Sequence, residues 1–119
     1  MIATDTNFLI YAFSRRAPEH RAAWRAIDKA RNDPRGWGIA LPSIAEFWTV
    51  VSRTDRPQPV SGEDARAFIH ALIVEVGAAV WTLPAGSWER LVRLAVDLGV
   101  RGRRIFDLQI ALAAFEKLL

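Results

Sequence analysis

Three short apolar segments, each followed by a longer stretch with helical spacing, most constrain what this 119-residue chain can fold into. The first segment ends at Asp5, the second spans Trp37–Leu41 and the third spans Ala79–Leu83. Each is too brief for a helix but suits a buried strand. Parallel strands need long crossover connections, which are usually helical. The alternation therefore predicts an α/β fold with a parallel sheet and right-handed crossovers.

Helical patterns fill the intervals between these strands. The stretch Phe8–Phe13 is apolar on all sides, which is typical of a helix packed inside a sheet layer. The other stretches are amphipathic or begin at a helix-start signal. We expect residues 1–119 to form a single domain. The predicted helices after the first run over about 18–31, 43–53, 61–77, 84–98 and 105–119.

Composition excludes several classes of protein. Hydrophobic residues make up 51% and charged residues 24%, as in a globular protein. No apolar stretch approaches the roughly 20 residues that span a bilayer, and no secretory leader is recognisable, so we expect a cytoplasmic protein. The absence of cysteine excludes disulfides, thiolate zinc sites and a cysteine nucleophile. The net charge is +3 and most cations are arginine, which permits nucleic-acid binding without requiring it.

Asp5 is the first acidic residue with a predicted functional position. It follows the first strand, and open α/β sheets bind their ligands beyond the carboxyl ends of the strands. The alternative is a structural role as the cap of the next helix. Thr6 and Asn7 offer other caps, so a functional role for Asp5 is favoured.

Glu46 has a stronger structural alternative. Ser43 and Glu46 match a capping box, in which the glutamate bonds back to the backbone at the helix start. Thr49 and Arg53 share its helical face, which could simply be solvated. However, the rest of this helix is largely apolar, and it starts at the same sheet edge as Asp5.

Asp107 lies near the start of the last predicted helix. A surface acid favoured by the helix dipole is one interpretation. The other rests on Ile110, Ala111 and Ala114, which share the face of Asp107 at helical spacing. We expect this face to be buried, and a buried carboxylate needs a cation or metal partner.

Three carboxylates at one sheet edge would repel one another unless a divalent cation lay between them. An all-oxygen ligand set suits Mg²⁺ or Mn²⁺. The chemistry that this predicts is metal-assisted hydrolysis of a phosphodiester. His20 and His70 are isolated, and no glycine-rich phosphate loop is present.

Three motifs in order resemble those of PIN-domain ribonucleases, in particular the VapC-type toxins of bacterial toxin–antitoxin operons. They are Asp5–Ala12, Pro42–Phe47 and Ile105–Ala113, and the resemblance covers essentially the whole chain. It implies a three-layer fold with helices on both faces of a parallel sheet. It also implies a homodimer, an RNA substrate and a cognate VapB-like antitoxin, with Asp5, Glu46 and Asp107 as Mg²⁺-binding catalytic acids.

Polar neighbours of these acids have expected roles as well. Thr6 or Asn7 would orient a ligand or a water. Arg103 and Arg104 precede Asp107 directly and would hold RNA phosphates, although a solvated loop is the alternative.

The sequence departs from the family pattern after the last helix. Such domains usually continue into another strand and a polar loop with a fourth site residue, and we expect the sheet to lack this strand. The favoured hypothesis is a Mg²⁺-dependent endoribonuclease, the toxin of a type II toxin–antitoxin pair. The alternative is a catalytically impaired, truncated PIN-like module that binds an antitoxin-like partner or RNA.

Overall fold

A three-stranded parallel sheet organises the part of the chain that the structure describes, residues 2–55 and 60–118 of a computed structural model. Strands β1 (Ile2–Thr4), β2 (Trp37–Ala40) and β3 (Ala79–Trp81) lie in the order β1-β2-β3. Ile39 at the centre pairs with Thr4 on one side and Val80 on the other. The predicted parallel sheet is confirmed. The loop predicted around residues 55–59 lies mostly outside the described residues.

Helices connect the strands as the sequence predicts. Helices α1 and α2 join β1 to β2, and α3 and α4 join β2 to β3. Helix α4 continues into a π-helical turn, and a short 3₁₀ turn leads into α5. The bounds are α1 Thr6–Phe13, α2 His20–Arg31, α3 Leu41–Val51, α4 Gly62–His70, the π-helical turn Ala71–Glu75, the 3₁₀ turn Ala85–Ser87, α5 Trp88–Asp97 and α6 Arg104–Leu118.

The larger core lies on one face of the sheet, between β2 and helices α1 to α4. Trp37 and Ile39 of β2 join this core, because alternate residues of a strand point to the same face. Phe13 packs edge-on against Phe47 and Phe68, with ring centroids 5.4 Å and 5.1 Å away. Such aromatic pairs add about 0.5–1.5 kcal/mol each beyond the area they bury. This cluster holds α1 against α3 and α4.

A smaller core lies on the opposite face, under α6. It contains Ala40, Trp81 and Ala113, with Ile110 and Leu83 packed around them. The flanking helices therefore cover both faces of the sheet, as predicted.

Trp81 requires a glycine on the neighbouring strand. Its indole lies over Gly38, and a Cβ atom at that position would overlap the indole ring. The absence of a side chain at Gly38 is what lets the large ring enter the smaller core.

Several predicted boundaries are wrong by a few residues. Helix α3 begins at Leu41 and not at Ser43, because Pro42 suits the first turn of a helix. Strand β3 ends at Trp81, two residues early, and α5 begins at Trp88 after the 3₁₀ turn. Gly99 follows the end of α5 with a φ of 65°, the left-handed conformation that glycine commonly adopts just after a helix.

None of the described helices is both long enough and apolar enough to cross a membrane.

Candidate active site

The three predicted acids line one open cavity of about 380 Å³. Asp5 comes from the end of β1, Glu46 from α3 and Asp107 from the first turn of α6. The structure thus brings together side chains that are far apart in the sequence. The residues lining this acidic cavity are Asp5, Thr6, Asn7, Ile10, Glu46, Thr49, Val50, Arg103, Asp107, Ile110 and Ala111.

Asp5 has the capping role that was its structural alternative. Its Oδ1 accepts a hydrogen bond of 2.8 Å from the backbone N–H of Phe8, at the start of α1. The carboxylate is exposed, and its second oxygen has no hydrogen bond within the described residues. The cap therefore fixes one oxygen of Asp5 and leaves the other available at the cavity.

Glu46 does not form the predicted capping box. Since α3 begins at Leu41, Ser43 already lies inside the helix, where its buried hydroxyl has no hydrogen-bond partner within the described residues. Glu46 lies further along α3, out of reach of the helix start. Its Oε2 instead accepts a hydrogen bond of 2.9 Å from Oγ1 of Thr6. This bond connects α3 to α1 across the cavity and orients the Glu46 carboxylate.

Asp107 is exposed, which contradicts the expected buried face. Ala111 is exposed too, and Ile110 is half-buried. The reason is that α6 packs on the smaller core through Ala113, with Ile110 and Ala114 beside it, whereas Asp107 lies one turn earlier, at the open cavity. Asp107 needs no buried partner, and its position in the first helical turn is also favoured by the helix dipole.

The two predicted phosphate-binding arginines have different positions. Arg103 lines the acidic cavity beside Asp107, whereas Arg104, the first residue of α6, is not among its lining residues. Arg103 belongs to the turn before α6, in which Gly102 has a φ of 58°, and the Arg103 carbonyl accepts a hydrogen bond from the N–H of Phe106. Only Arg103 is placed to meet a ligand in this cavity.

The donor chemistry of the cavity fits a hard divalent cation. Within residues 2–55 and 60–118, no three acidic or histidine side chains are close enough together to form a ready metal cluster. Mg²⁺, however, usually binds one or two carboxylates and keeps several waters. Three carboxylates around one open cavity, one of them with a free oxygen and another held by Thr6, match that mode of binding.

A second cavity of about 470 Å³ adjoins the first. Glu46, Thr49 and Arg103 line both. The sequence reasoning did not single out Phe106 and Gln109, which line this second cavity from α6. The sequence does contain an indication of this: Arg103, Phe106 and Gln109 are three residues apart, which places them on the same side of a helix.

The histidines lie away from both cavities. Nδ1 of His20 is 2.9 Å from the Tyr11 carbonyl, and His70 is exposed on α4. Neither lines the acidic cavity, in line with the expectation that both are isolated.

Comparison with protein families assigns almost the whole chain to one family model. A family described as PIN domain matches residues 2–117. Comparison with curated proteins gives no significant match.

Proposed function

The chain belongs to the PIN-domain family, and from this premise we propose that it is a Mg²⁺-dependent endoribonuclease, the toxin of a type II toxin–antitoxin pair. PIN domains are in general metal-dependent nucleases. The observation that carries the proposal is the acidic cavity, which Asp5, Glu46 and Asp107 all line, beside the carboxyl ends of β1 and β2. This is where open α/β sheets bind their ligands.

Each residue of the cavity has a proposed role. Asp5, Glu46 and Asp107 hold the cation, which when bound supplies an activated water and offsets charge on the phosphoryl oxygens. The Thr6 hydroxyl keeps Glu46 turned toward the cavity. Asn7 is exposed at the cavity wall and orients a water or a phosphate oxygen. Arg103 offers its guanidinium group to an RNA phosphate, which it can contact with two parallel hydrogen bonds.

A second candidate is a PIN-like module that binds RNA or an antitoxin-like partner without cleaving RNA. The observation in its favour is that the described acids form no close cluster of three. In that case Asp5 would act only as a helix cap and Glu46 only as the partner of Thr6.

RNA cleavage distinguishes the two candidates. Asp5→Asn and Asp107→Asn each remove one carboxylate charge from the cavity. Asp97→Asn is the matched control, since Asp97 is an exposed acid at the end of α5 and lines neither cavity. With Mg²⁺, we expect the wild type and Asp97→Asn to cleave a single-stranded RNA equally well.

The two cavity variants should lose about 100-fold or more in rate, since even residues that merely support metal ligands are worth roughly 10–100-fold. A chelator should stop cleavage by the wild type. If the wild type cleaves RNA no faster than Asp5→Asn and Asp107→Asn, the non-cleaving binding module is the better supported of the two candidate functions.

The homodimer and the antitoxin are part of the same proposal. Supporting it, Trp88, Val92 and Val96 form an apolar stripe on α5 that no described residue covers, with exposures of 65%, 49% and 80%. Exposed apolar patches of this kind mark contact surfaces. A second copy fits because Glu89 and Arg93, which pair with each other beside the stripe, would meet opposite charges in an antiparallel copy.

Light scattering tests the dimer. Val92→Glu should lower the measured mass from two chains to one by placing a charge in the stripe. Val74→Glu, at an isolated exposed valine in the π-helical turn, is the control and should stay dimeric. A monomeric wild type would contradict this part of the proposal and leave the nuclease part untouched.

A further inference from the structure

The cavity beside the acidic cavity has the shape and chemistry of a separate binding pocket. Its volume of about 470 Å³ lies within the roughly 300–1,000 Å³ of small-ligand sites. It lies between the start of α3, the residues after β3 and the first turns of α6. Leu41 and Leu83 provide apolar walls, and Phe106 adds an aromatic ring that is 44% exposed.

Polar groups interrupt these apolar walls. Gln109 lies one helical turn beyond Phe106 on α6, and Thr82 directly follows β3. A glutamine amide both donates and accepts hydrogen bonds, which suits the edge of a nucleobase. An exposed aromatic ring suits its face, because single-stranded RNA is commonly recognised by stacking of its unpaired bases. A purely apolar side chain would make no use of the amide or the hydroxyl.

The pocket shares part of its wall with the acidic cavity. Glu46 and Arg103 belong to the walls of both. Arg103 therefore lies at the junction, where a phosphate joining two nucleotides would pass. A chain that alternates phosphates with flat bases matches this arrangement of a cationic junction, an acidic cavity and an aromatic pocket.

We propose that this second cavity is a base pocket, which binds the nucleobase next to the phosphate held in the acidic cavity. The proposal rests on the proposed function, since it names the part of the RNA that this site recognises. Phe106 stacks on the base and Gln109 contacts its edge. The pocket thus contributes sequence preference, whereas the acidic cavity contacts only phosphate.

The test measures binding without cleavage, in buffer with a chelator. The probe is a fluorescently labelled single-stranded RNA hexamer, used intact and as a series with one abasic nucleotide at each position in turn. For the wild type, we expect one abasic position to weaken binding by about fivefold or more, the low end of what one base–aromatic stack is worth. Phe106→Ala should bind the intact hexamer as weakly as the wild type binds that abasic one, and should no longer distinguish the two.

The chain offers matched controls. Phe115 lies on the same helix with a similar exposure of 48%, but lines neither cavity, so Phe115→Ala should behave as the wild type does. Phe106→Trp keeps an aromatic face. Like the wild type, it should bind the intact hexamer more tightly than the hexamer with that abasic position. Gln109→Leu should keep stacking but change which base is preferred at that position. Thermal melts of each variant show whether it is folded.

The outcomes separate this inference from the proposed function. Equal loss at the abasic position in the wild type and in Phe106→Ala would overturn the base pocket, as would a wild type that binds no hexamer. Either result would assign the cavity to another ligand, such as an apolar side chain of a protein partner. Coupling between Phe106 and one base, with no cleavage in Mg²⁺, would support the pocket while rejecting the nuclease. Cleavage in Mg²⁺ without coupling between Phe106 and a base would support the nuclease and reject the base pocket.

Discussion

The hydrogen bond from Thr6 to Glu46 is the most informative single contact in the site. It joins residues 40 positions apart in the sequence and fixes a carboxylate at the point where α1 and α3 meet. A hydroxyl that donates to a carboxylate limits the orientation of that carboxylate. In the proposed nuclease, Thr6 would thus be a positioning residue that acts through Glu46.

Replacing Thr6 tests this role. Thr6→Val keeps the shape but removes the donor, so we expect RNA cleavage to fall by about tenfold and the Mg²⁺ concentration for half-maximal rate to rise. Thr6→Ser keeps the hydroxyl and should recover most of both. Steady-state cleavage over a Mg²⁺ titration measures the two effects. If Thr6→Ser is as impaired as Thr6→Val, packing and not the hydrogen bond explains the loss.

Asp5 combines a structural and a proposed catalytic role, which two substitutions can separate. Asn caps helices as well as Asp does, so Asp5→Asn should change the free energy of unfolding by less than about 0.5 kcal/mol while cleavage is lost. Asp5→Ala removes the acceptor for the Phe8 N–H and should cost about 1 kcal/mol in addition. Urea unfolding measures both. Equal stability of the Ala and Asn variants would show that the cap contributes little.

At the scale of elements, the periodicity of apolar residues predicted the strands and helices, but it did not predict the first residue of α3. The apolar runs before Asp5, at Trp37 and at Ala79 specified the parallel sheet. The predicted start of α3 was wrong because the Ser-x-x-Glu pattern after Pro42 suggests a helix cap at Ser43. Pro42 instead lies in the first turn of the helix, which begins at Leu41. That shift of two residues decides the role of Glu46. That Asp5 and Glu46 line one cavity was predictable, because the carboxyl ends of parallel strands share an edge. Asp107 follows no strand, so its place in the same cavity was expected only from the family resemblance.

Other features depend on packing that the sequence does not reveal. The exposure of Asp107 depends on which stripe of α6 contacts the sheet, and a helix with apolar residues on every side gives no clear face. Likewise, the cavity around Phe106 arises where α6 passes the start of α3 and the end of β3. These contacts between distant segments cannot be derived from local patterns.

The close fit of Trp81 over Gly38 gives a prediction about the smaller core. Gly38→Ala should destabilise the protein by about 1–3 kcal/mol, because the added methyl group overlaps the indole and forces it to move. In a Trp81→Leu background the same change should cost much less, since the smaller side chain leaves room. Urea unfolding of the two single variants and the double variant measures the coupling. An equal cost in both backgrounds would mean that β2, and not Trp81, resists the methyl group.

At the scale of the whole molecule, the sheet separates two tasks. The larger core on one face, with the packed rings of Phe13, Phe47 and Phe68, holds α1 and α3 in place and so fixes Asp5 and Glu46. The smaller core on the other face positions α6, which contributes Asp107 and Phe106. The proposed cation would be held jointly by elements from both faces, so its binding should stabilise the entire fold.

Metal-linked stability is therefore the last prediction. A ligand that binds only the folded state at 100 times its Kd adds about 2.7 kcal/mol, and each kcal/mol moves the Tm of a chain of this size by roughly 2–8 °C. Saturating Mn²⁺ should raise the Tm of the wild type and of Asp97→Asn by about 5 °C or more, and a chelator should reverse the rise. Asp5→Asn should show little or no rise, because its cavity has lost one carboxylate. An equal rise in the wild type and Asp5→Asn would place the cation away from the sheet edge and separate Asp5 from metal binding.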